Sequence, residues 1–224
     1  QILYKQEIPS SPGSVSQVRE LAMEFMHLSK RLQIATFLVG HVTKSGEIAG
    51  PRVLEHLVDL VLDFEGDRLQ GYRMLRGVKN RFGPTEEIVL FQMGVQGLVE
   101  VENPSHFFLQ ERQKERSGSV IVPSLEGSRA VLIEVQSLVA PSPFPTASRK
   151  STGVDINRLS LLLAVLEKKA GYPMHHCDVF VSIAGGVKVY EPAIDLGLFL
   201  AVLSSFTNTV IDADTVVFGE VGLG

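Results

Sequence analysis

Ile34-Ala35-Thr36-Phe37-Leu38-Val39 is the stretch on which the reading of the fold turns. It carries no charge and is apolar at every position but Thr36. A strand with one wet face alternates polar and apolar residues. A run that is apolar on both faces reads instead as an inner strand of a parallel sheet, covered on both sides. Upstream, Ser14 with Gln17 three residues later has the pattern of a capping box. Val15, Val18, Leu21, Ala22, Phe25, Met26, Leu28 and Leu32 then recur at helical spacing. Downstream, 40–50 is a polar loop with glycines, and Pro51 suits the first turn of a short helix over 51–57. Alternation over 58–64, and the runs 72–78 and 86–93, predict further strands. Helix, buried strand, loop, short helix and adjacent strands together describe an α/β domain.

A charged, mixed stretch over 105–119 separates this from a second domain, with the boundary placed between 116 and 117. The second domain opens on Val120-Ile121-Val122, turns at Glu126-Gly127 and continues in a long strand over 130–139. A loop runs from 141 to 153. A helix over 156–170 ends at Gly171, followed by a strand over 179–184 and a tight turn at Gly185-Gly186. A second helix over 192–206 and a last strand over 216–218 complete the pattern.

Bulk composition narrows the function classes. The chain has 224 residues, 45% of them apolar and 21% charged, which suits a packed core. No apolar run reaches the roughly 18–20 residues of a membrane helix, so no membrane partner is expected. The single cysteine, Cys177, excludes an internal disulfide and a multi-thiolate zinc site in this chain. His175-His176-Cys177-Asp178 offers at most two converging ligands along a strand, so no metal is expected there. With a net charge of −4, nucleic-acid binding has to come from local patches. Arg68, Arg73, Arg76, Lys79 and Arg81 form one such patch, uninterrupted by acidic residues.

Within that patch, Lys79-Asn80-Arg81-Phe82-Gly83 resembles the signature of the RadA (Sms) family of bacterial DNA-repair ATPases. Other segments are similar to the same family. These are Ser11-Pro12-Gly13-Ser14-Val15-Ser16-Gln17-Val18-Arg19-Glu20, Phe37-Leu38-Val39-Gly40-His41-Val42-Thr43-Lys44, Gly50-Pro51-Arg52-Val53-Leu54-Glu55-His56, and Gly219-Glu220-Val221-Gly222-Leu223. The resemblance implies a partial RecA-like ATPase core over 1–116. An α+β Lon-protease-like domain, truncated at its end, would follow over 117–224. It also implies a fragment. A zinc finger, a Walker A loop and a Walker B aspartate would belong to an N-terminal part, and this chain alone should not hydrolyse ATP.

The same resemblance assigns roles. Residues i and i+2 of an extended segment share a side, which puts Lys79 and Arg81 together with Asn80 facing away. In ring ATPases resembling DnaB, such a pair reaches the nucleotide of the neighbouring subunit and stabilises charge on the transferring phosphoryl group. A solvated basic strand is the plainer reading of the spacing alone. His41, after the buried strand, would be a γ-phosphate switch. Lys44 and Arg52 would contact single-stranded DNA through its phosphates, and Arg19 would line the same pore. Arg149, Lys150, Arg158 and Lys188 are further DNA candidates, and Arg149-Lys150 in its loop also reads as a solvated charge pair.

Glu191-Pro192-Ala193-Ile194-Asp195 resembles the nucleophile segment of Lon peptidases, with Ala193 where serine would stand. An alanine methyl cannot attack a carbonyl. The implied whole is an ATP- and Mg2+-dependent DNA motor, a homo-oligomer, hexameric by resemblance. It would act on single-stranded and branched DNA to drive branch migration beside a RecA-type recombinase. Its compartment would be a bacterial cytoplasm, or a plastid if the source is a plant. The alternatives are a non-catalytic oligomeric DNA-binding scaffold and a Lon-type peptidase.

Overall fold

The computed structural model describes residues 4–40, 54–66, 71–85, 87–113 and 115–223. Two compact units divide the chain. One comprises Gln1–Asp63 and Arg76–Thr85, the other Phe64–Leu75 and Glu86–Gly224.

In the first unit, helix α1 spans Val15–Leu32. Ser14 caps it by accepting from the Gln17 N–H, and Lys30 and Arg31 sit in the last turn, where the helix dipole favours cations. The Gln17 side chain does not reach back to close a capping box. It is fully buried and holds the preceding loop instead. Its Oε1 accepts from the Lys5 N–H at 2.8 Å. Its Nε2 donates to the carbonyls of Lys5 at 2.8 Å, Ile8 at 3.3 Å and Ser10 at 3.3 Å.

The strand expected over 34–39 does not form. The segment has no regular structure, and Ile34, Phe37 and Val39 are 57%, 84% and 98% exposed. A doubly apolar strand exists only between neighbouring strands and beneath layers on both faces. Among the described residues, neither sheet includes this run.

Strands β1 (Leu60–Glu65), β2 (Tyr72–Asn80), β3 (Ile88–Gly94) and β4 (Gly97–Glu100) form a four-stranded sheet in chain order. β3 and β4 are antiparallel, with Gly94 opposite Gly97. The hairpin and the short helix α2 (Pro104–Leu109) were not expected from the sequence. The Asn103 side chain caps α2 by accepting from the His106 N–H at 3.0 Å, and Pro104 opens its first turn. In the second unit, Tyr72, Phe107 and Phe108 pack edge to face with centroids 5.4–6.0 Å apart.

The rest of the second unit is built on a second four-stranded sheet, in the order β5-β6-β8-β7. Its strands are β5 (Ser119–Glu126), β6 (Arg129–Pro141), β7 (Arg149–Thr152) and β8 (Cys177–Ile183). β5/β6 and β6/β8 pair antiparallel, while β7 runs parallel to β8. Gly127 makes the β5–β6 turn with φ 64°, a conformation that side chains with a Cβ rarely adopt. Along β8, Cys177, Val179, Val181 and Ile183 are buried and alternate with partly exposed residues.

Helices α3 (Ile156–Lys168) and α4 (Asp195–Thr207) complete this core with Leu159, Leu162, Leu163, Leu166, Leu198, Ala201 and Val202. Gly197 lets α4 lie close on β5, since a Cβ there would stand 2.1 Å from the Val122 methyl. The last expected strand is reduced to a bridge between Ile121 and Val216. Among the described residues, no helix is long and apolar enough to cross a membrane.

Candidate functional site

The end of β2 brings the first pair of predicted residues to one place, entirely within the first unit. Lys79 Nζ donates to the carbonyls of Glu55 at 2.7 Å and Val58 at 2.9 Å. Arg81, one residue past the strand, donates its N–H to the Asp59 carbonyl at 2.9 Å. Its guanidinium Nη1 lies 3.4 Å from Asp59 Oδ1. Both cations therefore address the short segment 55–59. Asn80 turns the other way: its Nδ2 donates to the Pro84 carbonyl at 3.2 Å, and its Oδ1 accepts from the Phe82 N–H at 3.1 Å. The alternation expected of an extended segment holds through Arg81.

The two cations differ in freedom. Lys79 is partly buried and bonded to two backbone carbonyls. Arg81 has 64% of its side chain exposed, and its partner Asp59 46%. Exposed ion pairs of this kind contribute about 0–1 kcal/mol. The guanidinium keeps most of its planar donor fork for another acceptor, such as a phosphate. Glu55, Val58 and Asp59 were not singled out from the sequence. Their approach to β2 is a contact over more than twenty positions, which no local pattern encodes.

The remaining predicted residues are scattered. Arg19 is exposed on α1. His41, Lys44 and Arg52 lie outside the described residues. Arg149 and Lys150 are exposed neighbours on β7, not in a loop as expected, and so point to opposite faces of the sheet. Lys150 borders a groove of about 580 Å³ with Arg116, Gln136, Leu138, Phe180 and Ser182. A hydrogen-bonded cluster lies in the groove lining. Buried Glu134 accepts from Ser119 Oγ at 2.5 Å and Gln136 Nε2 at 2.9 Å, with Arg112 Nε at 3.7 Å.

Ala193 lies in the single turn Pro192–Ile194 that leads into α4. Its carbonyl accepts from the Gly219 N–H at 2.7 Å, and the Gly219 carbonyl accepts from Leu196 at 2.9 Å. Next to it, Asp195 is fully buried. Its carboxylate receives Arg158 Nε at 2.7 Å, Arg158 Nη2, and the Val221 N–H at 3.1 Å. The Asp195 hydrogen bond holds the Arg158 guanidinium above its ordinary pKa, opposed by partial desolvation and helped by the nearby charges. Arg158, a sequence candidate for DNA contact, is thus committed to a buried carboxylate. A cavity of about 270 Å³ adjoins this pair, lined by Val154, Leu161, Tyr190 and Glu191 among others. The Ala193 methyl offers no group that could attack a carbonyl.

The His175-His176-Cys177-Asp178 run is spent locally. His175 Nδ1 meets Glu167 Oε1 at 3.0 Å, and Asp178 Oδ1 accepts from the Ser148 N–H at 2.7 Å. Burial, with the nearby carboxylates of Asp178 and Glu167, pushes the Cys177 thiol pKa up. Among the described residues, no group of three metal-ligating side chains converges.

No family model matches the chain. Curated relatives do, and from end to end. It is 56% identical over 224 residues to the DNA repair protein RadA of Chlamydia muridarum, covering 100% of this chain and 49% of that protein. The RadA proteins of Halalkalibacterium halodurans and Bacillus subtilis are 52% and 51% identical over 223 residues, again with 49% of each protein covered. The chain spans about half the length of the curated relatives it matches. Identity above one half across every residue, together with the Lys79–Gly83 pentapeptide at the end of β2, places this chain in the RadA family.

Proposed function

We propose that the chain is the distal half of a DNA-repair motor, a DNA-dependent ATPase whose subunits complete one another's nucleotide sites. The observation that carries this reading is the common direction of Lys79 and Arg81 at the end of β2, with Asn80 turned away. Two fixed-spacing cations, one of them largely exposed, suit the charge that develops on a transferring phosphoryl group. ATP with Mg2+ would be held mainly by residues outside this chain. Arg81 would add its donor fork, and Lys79 a point charge. His41 is proposed as the γ-phosphate switch. Lys44, Arg52, Arg19, Arg149 and Lys150 are proposed as sequence-tolerant phosphate contacts to single-stranded or branched DNA.

A ring, hexameric by analogy with similar motors, would bring each pair to its neighbour. Branch migration beside a RecA-type recombinase in the bacterial cytoplasm is the proposed task. The second sheet with α3 and α4 is proposed to be a Lon-like domain serving as a scaffold. Ala193 at the turn before α4 supports a scaffold over a peptidase, since no nucleophile stands there.

The test uses a full-length RadA background that carries this sequence. Lys79→Ala and Arg81→Ala should each lower DNA-stimulated ATP hydrolysis by about 10³-fold, with nucleotide binding retained. Parental hydrolysis in both variants removes the trans-acting role.

A further inference from the structure

We infer that Asp59 is a latch on Arg81. It holds the guanidinium within its own subunit until the neighbouring nucleotide competes for it, and so couples the finger to the segment 55–59. The inference rests on the trans-acting reading of Arg81 and adds a residue to it.

The geometry has a fixed part and a free part. The Arg81 N–H bonds the Asp59 carbonyl at 2.9 Å, and Lys79 Nζ bonds the carbonyls of Glu55 and Val58. These bonds keep the end of β2 alongside 55–59. The side chains are not so held. Arg81 Nη1 and Asp59 Oδ1 are 3.4 Å apart, a single contact on a guanidinium with five donors. Both groups are substantially exposed, 64% and 46%.

An exposed, one-point ion pair is weak, and a polyphosphate outbids it on charge and on bidentate geometry. Weakness is what a latch requires, because a buried bidentate pair would not release. Arg158 with Asp195 shows the contrast within the same chain. There the carboxylate is fully buried and takes both Nε and Nη2.

Position supplies the coupling. Residues 55–59 begin shortly after Arg52 and lie downstream of Lys44, the proposed DNA contacts. A shift of 55–59 on DNA binding would move the Asp59 carboxylate and the carbonyl partners of Lys79 together. The finger would then be freed when DNA is present and restrained when it is absent.

The experiment measures ATP hydrolysis with and without single-stranded DNA, in the full-length RadA background, for the parent, Asp59→Asn, Arg81→Ala and the double variant. Asp59→Asn should raise DNA-free hydrolysis about twofold to fivefold, the range an exposed ion pair accounts for. Its DNA-stimulated rate should stay within about twofold of the parent, so the stimulation ratio falls. The double variant should be as slow as Arg81→Ala, because a latch matters only while the finger exists.

A merely structural Asp59 would leave the stimulation ratio unchanged. That result, or a raised DNA-free rate that survives in the double variant, overturns the latch. Thermal melting of Asp59→Asn within a degree or two of the parent keeps a loss of fold from imitating either outcome. Parental hydrolysis in Arg81→Ala would instead remove the finger itself, a distinct failure.

Discussion

The two units of this chain spend similar apolar sequence differently. In the second, alternate residues of β6 and β8 face the helices α3 and α4, and Val120, Val135, Leu162, Leu163, Val179 and Leu198 are almost fully buried. In the first, Gln17 and Ala22 are the only described residues that are buried, while Ile34, Phe37, Val39, Leu60 and Leu62 are exposed. A hydrophobic residue contributes stability only where something covers it. The second unit supplies its own cover, a sheet under two helices. The first has one amphipathic helix and a strand end, and holds its loops largely by hydrogen bonds. Structural weight lies in one unit, and the exposed Arg81 in the other. Low local stability is where switching elements are drawn from.

The largest effect should come from opening the self-covered core. Leu163, on α3, is 1% exposed. Leu163→Ala removes three carbon atoms and leaves a cavity that packed neighbours fill only in part, so the second unit should lose about 2–5 kcal/mol. Chemical denaturation followed by circular dichroism measures this. A loss below about 1 kcal/mol would mean that the sheet–helix core is looser than its burial, and the contrast between the units would shrink.

Gln17→Ala comes next, and it probes the opposite kind of region. The Gln17 amide is the hub of the 5–10 loop, with bonds to the backbone of Lys5, Ile8 and Ser10. Removing it leaves part-buried carbonyl and N–H groups without these partners, at a cost of about 1–3 kcal/mol. The cost should be local: hydrogen exchange should quicken over 4–12 and the first turns of α1 while β5–β8 stays protected. Uniform loss of protection across both sheets would show that the two units unfold as one.

Particular residues show how much of this was legible. Ser14 caps α1 and Gly127 turns β5 into β6 as read, although Gln17 does not close the capping box, and the strand expected over 179–184 forms as Cys177–Ile183; caps, turns and two-residue periods are local physics. Asn103-Pro104 is also a local start signal for α2, at the edge of a charged stretch over 105–119 whose mixed composition hides so short a helix. Arg149-Lys150-Ser151-Thr152 carries no apolar pattern and reads as loop; the strand β7 exists through backbone pairing beside β8. The candidate site divides the same way. The common side of Lys79 and Arg81 follows from strand geometry, whereas Asp59 enters by a long-range approach. Arg158 looked available for DNA only because its partner Asp195 lies 37 positions away.

The smallest expected effect concerns the 34–39 run, which forms no strand here. Phe37 is 84% exposed in this chain, so Phe37→Ala here should change stability by less than about 0.5 kcal/mol. The same substitution in a full-length RadA background separates two accounts of the 34–39 run. If the further sequence of that full-length RadA lays a strand beside it and a layer over it, Phe37 becomes a core side chain and its loss costs about 3–5 kcal/mol. If nothing covers it, both measurements stay near zero, and the run is an exposed apolar patch of a kind that folded proteins seldom keep without a partner. A difference between the two backgrounds would show that the apolar pattern was read correctly as a buried strand, and that the neighbours which bury it come from outside the sequence that carries the pattern.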